Sequence, residues 1–391
     1  MKKPRRSTLL KLCLSVVLGM VFFELGSHLL PSRDFERDPQ LRGDALLGIP
    51  LSEPDATKDF PEDPKPADVY RIVVLGDSHT VSAPWPKTFP KVLESELRAD
   101  DLGGRRVEVY NAGALGHSHY QYYLTLTQRV ARYHPDLVVV AYYVGNDFLD
   151  LLRIDDRPRL SFEDGAWVHE PPEFVKNWDP DASGILESSR VVFVLRACFR
   201  KTIGYPWDRT RVLFSVGKRA GHGNLEAARF VSTMIRGSFV NEAIFRQSMN
   251  QIVYLRRFPE GRAEIERVNR HLAEQMKAAA DGGGWKLLYA PIPTKLQIEP
   301  DSDPVVLQKT LEVCGLDRSV LQDEDALCDA LVALLAEQGI DSLRMEGALR
   351  EAARAGVLYD ETYHINEKAH AVIGHALHER ILPMVRPAGP R

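Results

Sequence analysis

Five short apolar runs, separated by helical spacing and each closed by Gly, Asn, Pro or a polar turn, limit this chain to one broad class of fold. Tyr70-Arg71-Ile72-Val73-Val74-Leu75 ends at Gly76, and Arg106 to Tyr110 ends at Asn111-Ala112-Gly113. Asp136 to Tyr143 is the strongest run and stops before Gly145. Trp285 to Ala290 leads into Pro291-Ile292-Pro293, and Ile340 to Leu343 is the last and shortest. Continuous apolar runs of this length are expected of strands covered on both faces, as in a parallel sheet. Helical spacing fills the gaps over 89–98, 120–133, 261–281, 323–338 and 366–381, with Gly282-Gly283-Gly284 and Gly339 as stops. No hairpin signal is read between the strands. The pattern predicts an α/β fold: a three-layer α/β/α sandwich around a mainly parallel sheet of about five strands.

Two regions break the alternation. Residues 31–69 carry many Pro, Asp, Glu and Arg residues without steady periodicity and read as a tether. Between about 151 and 259 the period weakens while aromatics and arginines accumulate, among them Phe162, Trp167, Trp178, Phe199 and Trp207. That stretch is too long for a plain loop. It reads as an inserted cap with helices expected around 188–200 and 225–255, or as a helical insertion without a substrate role. The expected organisation is therefore a segment 1–30, a tether 31–69 and a main domain 70–391 containing the insertion.

The first 30 residues differ from the rest. Lys2, Lys3, Arg5, Arg6 and Lys11 edge an apolar stretch from Leu9 to Leu30 that approaches the roughly 20 residues needed to cross a bilayer. The basic cluster predicts a cytoplasmic start, with the domain in the periplasm or outside the cell. A cleaved signal peptide is the competing reading, disfavoured because no small-x-small cleavage site follows cleanly. In an oxidising compartment Cys314 and Cys328 could bridge, leaving Cys198 unpaired and Cys13 in the apolar segment; equally, all four could be small buried residues. The formal net charge of −4 offers no basic footprint, so nucleic acid is not an expected partner.

Chemistry-bearing residues gather where the strands end. Ser78 follows the first strand in Gly76-Asp77-Ser78-His79, where a serine hydroxyl could be activated by a base and its backbone N–H could face an oxyanion. The bland alternative is that Asp77 or Ser78 merely caps a helix. Asn146, in Gly145-Asn146-Asp147, offers a neutral amide donor after a buried strand, or simply a turn residue. His364 follows Asp360 and Glu361 in a loop before the last helix, where a carboxylate could orient its imidazole and Asn366 could cap the helix. Other histidines are present, but no His-x-x-x-His pair with an acid and no paired thiolates. No metal and no cofactor are expected.

These pieces, with Gly116 in Asn111-Ala112-Gly113-Ala114-Leu115-Gly116-His117-Ser118, resemble the SGNH/GDSL hydrolase superfamily, named for a Ser, a Gly, an Asn and a His on four separate blocks. All four blocks stand in the family's order. The resemblance covers about 70–150 and 262–381 and implies a flavodoxin-like fold. It implies Ser78 as nucleophile, His364 as general base, and an oxyanion hole from the Ser78 N–H, the Gly116 N–H and the Asn146 side chain, with Gly113 as the rival glycine. The family usually places Asp three residues before the His; here that position is Glu361, and Asp360 stands one earlier, so either could orient His364. His79 stands where the family often has an apolar residue and could tune the pocket. The expected activity is cofactor-free hydrolysis of an acyl ester, with acetyl groups on envelope carbohydrate as first candidate. Transfer of the acyl group to a polysaccharide hydroxyl, or a catalytically idle binding protein on the same fold, are the other readings.

Overall fold

The computed structural model describes residues 64–151, 158–171, 259–302, 325–360 and 363–386, together with Ser15, Gly19, Pro304, Gln308, Asp317 and Arg318. Apart from Ser15 and Gly19, the N-terminal segment read as an anchor lies outside the described residues, as do most of the tether and the helices expected around 188–200 and 225–255. Among the described residues no helix is long and apolar enough to cross a membrane.

All five expected strands form: β1 (Val69–Gly76), β2 (Arg106–Asn111), β3 (Leu137–Tyr143), β6 (Lys286–Ile292) and β7 (Asp341–Ser342). They pair in the order β2-β1-β3-β6-β7, and every pairing is parallel. The chain leaves β1 for β2 on one side and then returns to β3 on the other. The strand order therefore reverses between β1 and β3, and open α/β sheets place their ligands in the crevice at such a point.

Strand periodicity divides the core. Ile72 and Val74 of β1, Val139, Ala141 and Tyr143 of β3, and Leu288, Ala290 and Ile292 of β6 face one way. They pack against α2 (Phe89–Ala99), α8 (Glu346–Ala353) and α9 (Glu367–Val385). Their neighbours Val73, Leu75, Val138, Val140, Tyr142 and Tyr289 face the opposite layer. That layer holds α3 (His119–Thr125), α5 (Pro259–Gly283) and α7 (Asp325–Glu337). The sandwich thus follows from a period of two along the strands and of 3.6 along the helices.

Some local outcomes differ from expectation. Arg71, within the first apolar run, is fully buried; its guanidinium donates to Glu108 (3.1 Å) and to the Tyr133 carbonyl (2.7 Å), which makes a buried charge tolerable. The expected 120–133 helix starts as α3, passes through a π turn at Leu126–Val130 and ends in a 3-10 turn at Ala131–Tyr133. Cys328 is free and buried, as a small core residue, rather than bridged; Cys314 lies outside the described residues. The insertion contains an antiparallel hairpin, β4 (Arg159–Glu163) and β5 (Ala166–Glu170), where none was expected. Its turn residues Asp164 and Gly165 both have positive φ (50° and 82°), the requirement of a two-residue hairpin turn that follows strand twist.

One polar group is enclosed in the α3–α5 layer. His119 is fully buried, with Nδ1 2.8 Å from Asn269 Oδ1 and Nε2 2.8 Å from the Tyr289 hydroxyl. Asn269 Nδ2 donates to the Ile265 carbonyl, which fixes Oδ1 as the acceptor. His119 therefore carries its proton on Nδ1, and burial pushes its pKa down to about 4.

Candidate active site

The carboxyl ends of β1 and β3 carry two of the four blocks on adjacent strands. Gly76 pairs with Ala141, so the loops that follow leave the sheet side by side. After β1 the chain enters α1 (Ser78–Val81) directly. Asp77 caps it, its Oδ1 accepting from the His79 N–H at 2.8 Å. Ser78 takes the first helical position, where a backbone N–H has no acceptor within its own helix. A side chain at Gly76 would come within 1.9 Å of Thr80 Oγ1 and 3.2 Å of the Ala141 carbonyl, so only glycine lets α1 fold back so tightly on the strand.

The loop after β2 is tied to the same turn. Ala114 N–H donates to the Gly76 carbonyl (3.0 Å), and Asn111 Nδ2 donates to the Thr80 carbonyl (3.0 Å). Asn111 Oδ1 accepts from the Gly113 N–H at 2.9 Å. Gly113 is therefore engaged in holding the loop. Gly116 lies further along, in the left-handed region (φ 70°).

After β3, Asn146 donates its backbone N–H to the Tyr143 carbonyl at 3.4 Å and opens α4 (Asp147–Asp150). Its side-chain Oδ1 is buried without a hydrogen-bond partner. Asp147 is fully buried, its Oδ2 accepting from the Tyr122 hydroxyl (2.9 Å) and the Tyr143 N–H (3.0 Å). Burial first, then the nearby Asp77 and Asp150 charges, push its carboxyl well above the ordinary range.

His364 arrives from the far end of the chain on a tight reversal. Tyr359 and Ile365 form an antiparallel bridge, the Asp360 N–H donates to the His364 carbonyl (2.8 Å), and Tyr363 adopts a left-handed φ of 65°. The Asp360 carboxylate accepts from the His364 backbone N–H at 3.1 Å. Asn366 caps α9, its Oδ1 accepting from Lys368 and Ala369 N–H, as its position in the sequence suggested. The result is a contact across 286 residues of sequence: His364 Nε2 lies 3.0 Å from Ser78 Oγ, and both side chains are half-buried. Desolvation lowers the His364 pKa from its ordinary value, while the Asp360 charge acts the other way. The imidazole is thus neutral near pH 7, the form that can accept a hydroxyl proton. Glu361, the other acid considered, lies outside the described residues.

Two further histidines support this loop and do not enter the site. His79 is buried, and its ring stacks on Tyr143 at 3.6 Å between centroids. His370, in the first turn of α9, accepts from the Phe89 N–H through Nδ1 (3.1 Å). Its Nε2 is therefore protonated and faces Ser82 Oγ at 3.1 Å. Ser82 Oγ in turn donates to the Ile365 carbonyl at 3.0 Å. Ser82 closes α1 and Ile365 follows His364, so this chain of bonds joins the two loops that bring hydroxyl and imidazole together. No sequence signal marks it, because its three segments are far apart along the chain.

The four blocks of the SGNH/GDSL pattern thus stand at one end of one sheet. The chain resembles that superfamily in fold and in site. Among solved structures it is similar to an acetyl xylan esterase, over 80% of this chain and 99% of that one, at 10% identity and a TM-score of 0.39. The acetylxylan esterase Axe2 from Geobacillus stearothermophilus matches 80% of this chain and 94% of its own, at 9% identity and a TM-score of 0.39. A GDSL-like lipase from Bacteroides thetaiotaomicron matches 84% and 95%, at 10% identity and a TM-score of 0.35. No protein-family model and no curated protein matches the chain. At such TM-scores these likenesses carry no weight for function; the residues of the site do.

Proposed function

We propose that this protein is a serine esterase that hydrolyses acyl esters through an acyl-enzyme intermediate. The 3.0 Å approach of His364 Nε2 to Ser78 Oγ carries the reading. His364 takes the hydroxyl proton as Ser78 Oγ attacks the ester carbonyl carbon, forming a C–O bond and a tetrahedral oxyanion. The Ser78 and Gly116 N–H groups and the Asn146 amide would receive that oxyanion, and the protonated imidazole then gives its proton to the leaving alcohol. Water, deprotonated by His364, releases the acid and restores Ser78. Asp360, whose charge favours the imidazolium, is the better-supported orienting acid, with Glu361 as the other candidate.

The substrate we favour is a short acyl ester, acetyl first, carried on envelope carbohydrate. Support comes from the aromatic hairpin, which packs on the helices of that layer: Tyr120 of α3 contacts His169 of β5, and Trp167 stacks on His271 of α5 at 3.9 Å. Leu115, exposed beside Gly116, adds apolar surface at the rim. The basic and apolar character of residues 1–30 supports a membrane-anchored enzyme whose domain lies in the periplasm or outside the cell.

Hydrolysis of aryl acetates and longer aryl esters, by the intact chain and by Ser78→Ala, tests the reading, with fluorophosphonate labelling of Ser78 as the second readout. Loss of both in the variant is expected; undiminished turnover by Ser78→Ala would refute the nucleophile. Product analysis with a sugar acceptor separates hydrolysis from acyl transfer.

A further inference from the structure

Where α2 and α9 meet, a second cluster of histidines and acids is built from both helices. His375 and His378 stand one turn apart on α9 and face Glu96 of α2. One donor atom from each of the three lies within 4.8 Å of the others. Glu96 Oε2 is 3.4 Å from His375 Nδ1 and 3.6 Å from His378 Nδ1. Both separations are too long for hydrogen bonds. They match the edge of a tetrahedron around a zinc-sized ion, about 3.3–3.5 Å for bonds of about 2.0–2.1 Å.

The protonation pattern points the same way. His378 Nε2 lies 2.6 Å from Asp100 Oδ2, and a carboxylate can only accept, so Nε2 carries the proton. In the neutral ring Nδ1 then offers a bare lone pair towards Glu96 Oε2. Both atoms are buried and neither has a hydrogen-bond partner. Two acceptors facing each other away from water need either a second proton on the ring or a cation between them, and at 3.6 Å the gap is long for the first and right for the second. A carboxylate holding the far nitrogen of an imidazole is also the outer support typical of metal-bound histidine.

We propose that Glu96, His375 and His378 form a binding site for a divalent transition ion, Zn2+ by donor set, with water completing the coordination. Two imidazoles and one carboxylate suit zinc, nickel or copper and not calcium or magnesium. His375 is exposed on this face, which gives the ion an entry path and a place for water. The bound ion ties α2, which follows the Ser78 loop, to α9, which follows His364. The site is separate from the ester chemistry and does not depend on it. Sequence spacing concealed it, since Asp100 and His378 are 278 residues apart.

Titration of the full chain with Zn2+ and with Co2+, read by competition against a chromophoric chelator and by the visible absorption of bound Co2+, tests the proposal. One ion per chain is expected, with a Co2+ spectrum of low coordination number and a higher melting temperature with Zn2+. His375→Ala and Glu96→Gln should each weaken binding at least tenfold, and Asp100→Asn about 10- to 100-fold. His375 is exposed, so its replacement keeps the fold and leaves a usable variant even if changes at His378 do not. No binding by the intact chain, or binding unaltered in His375→Ala and Glu96→Gln, overturns the site.

Discussion

The His79 ring lies 4.9 Å from the His364 ring, yet only His364 reaches Ser78. His79 is buried, and its Nδ1 has no hydrogen-bond partner. Burial, and then the neighbouring His364 and His370, hold its pKa well below the ordinary histidine value. It therefore stays neutral and acts as an aromatic plate between Tyr143 and the His364 imidazole. His79→Phe keeps the stack and removes a buried polar atom that lacks a partner. Such an atom costs on the order of 1 kcal/mol or more, so the variant should be at least as stable as the parent in urea unfolding. Its kcat/KM should change by no more than a few-fold. A large loss of activity with the fold intact would mean that the His79 ring nitrogen takes part in proton transfer.

Activity should follow the neutral form of His364. Because desolvation is the leading influence and lowers its pKa, the acid limb of kcat/KM should fall at a pH below the ordinary value of 6.5. Turnover is full above that limb and is lost as pH drops through it, since a protonated imidazole cannot take the Ser78 proton. His364→Gln should remove the limb together with most of the rate, by about 10³-fold or more. A pH profile on an aryl acetate checks both points.

Asp360 and Glu361 make separable predictions. The Asp360 charge favours the protonated imidazole, so Asp360→Asn should move the acid limb to still lower pH and reduce kcat more than KM. It also removes the carboxylate that accepts from the His364 N–H. Glu361→Gln should leave the limb in place. The reverse pattern would assign the orienting role to Glu361, three residues before the histidine.

The strands were legible because each is a short apolar run with a sharp stop, and Val138, Val139 and Val140 are buried on both faces as such a run requires. Ser78, Asn146 and His364 were legible because strand ends and helix starts put them at one rim. The strand order was not, since helix length does not say on which side a strand returns. The β4–β5 hairpin was missed although Asp164-Gly165 is a strong turn signal; Leu160 and Phe162 alternate over too few residues to stand out in an aromatic-rich stretch. Helix α8 was missed because its eight residues bury only Glu346 and Leu349, leaving almost no apolar stripe. That Asn111 Oδ1 accepts the Gly113 N–H was not legible, because the bond depends on how the loop after β2 turns.

Asp147 should behave as a buried neutral acid. Its raised pKa means that the folded chain holds a proton there which the unfolded chain releases above about pH 3.8. The folded state then binds more protons than the unfolded one, so this group lowers stability as pH rises from about 3.8 towards its folded pKa. Asp147→Asn keeps an oxygen for the Tyr122 hydroxyl and the Tyr143 N–H and removes the titration. The variant should be more stable than the parent at pH 8, and the gain should shrink towards pH 4. Urea unfolding at both values checks the sign.

His119 and His370 should oppose that trend. Both are fully buried, and burial takes each pKa to about 4. Between about pH 6.5 and 4 the unfolded chain binds a proton at each position that the folded chain does not, so their contribution is complete above pH 6.5 and is lost as pH falls to 4. With about 1.4 kcal/mol per pKa unit, each is worth roughly 3 kcal/mol over that window. His370→Gln can still accept the Phe89 N–H and donate to Ser82 Oγ, so it should reduce the pH dependence by about one proton while keeping the tie to Ile365. Between pH 7.5 and 4 the unfolding free energy of the parent should fall more steeply than that of the variant, so the variant gains on the parent at pH 5 and 4. Parallel curves would show that His370 titrates alike in both states and that its burial does not set the acid stability of the loop behind His364.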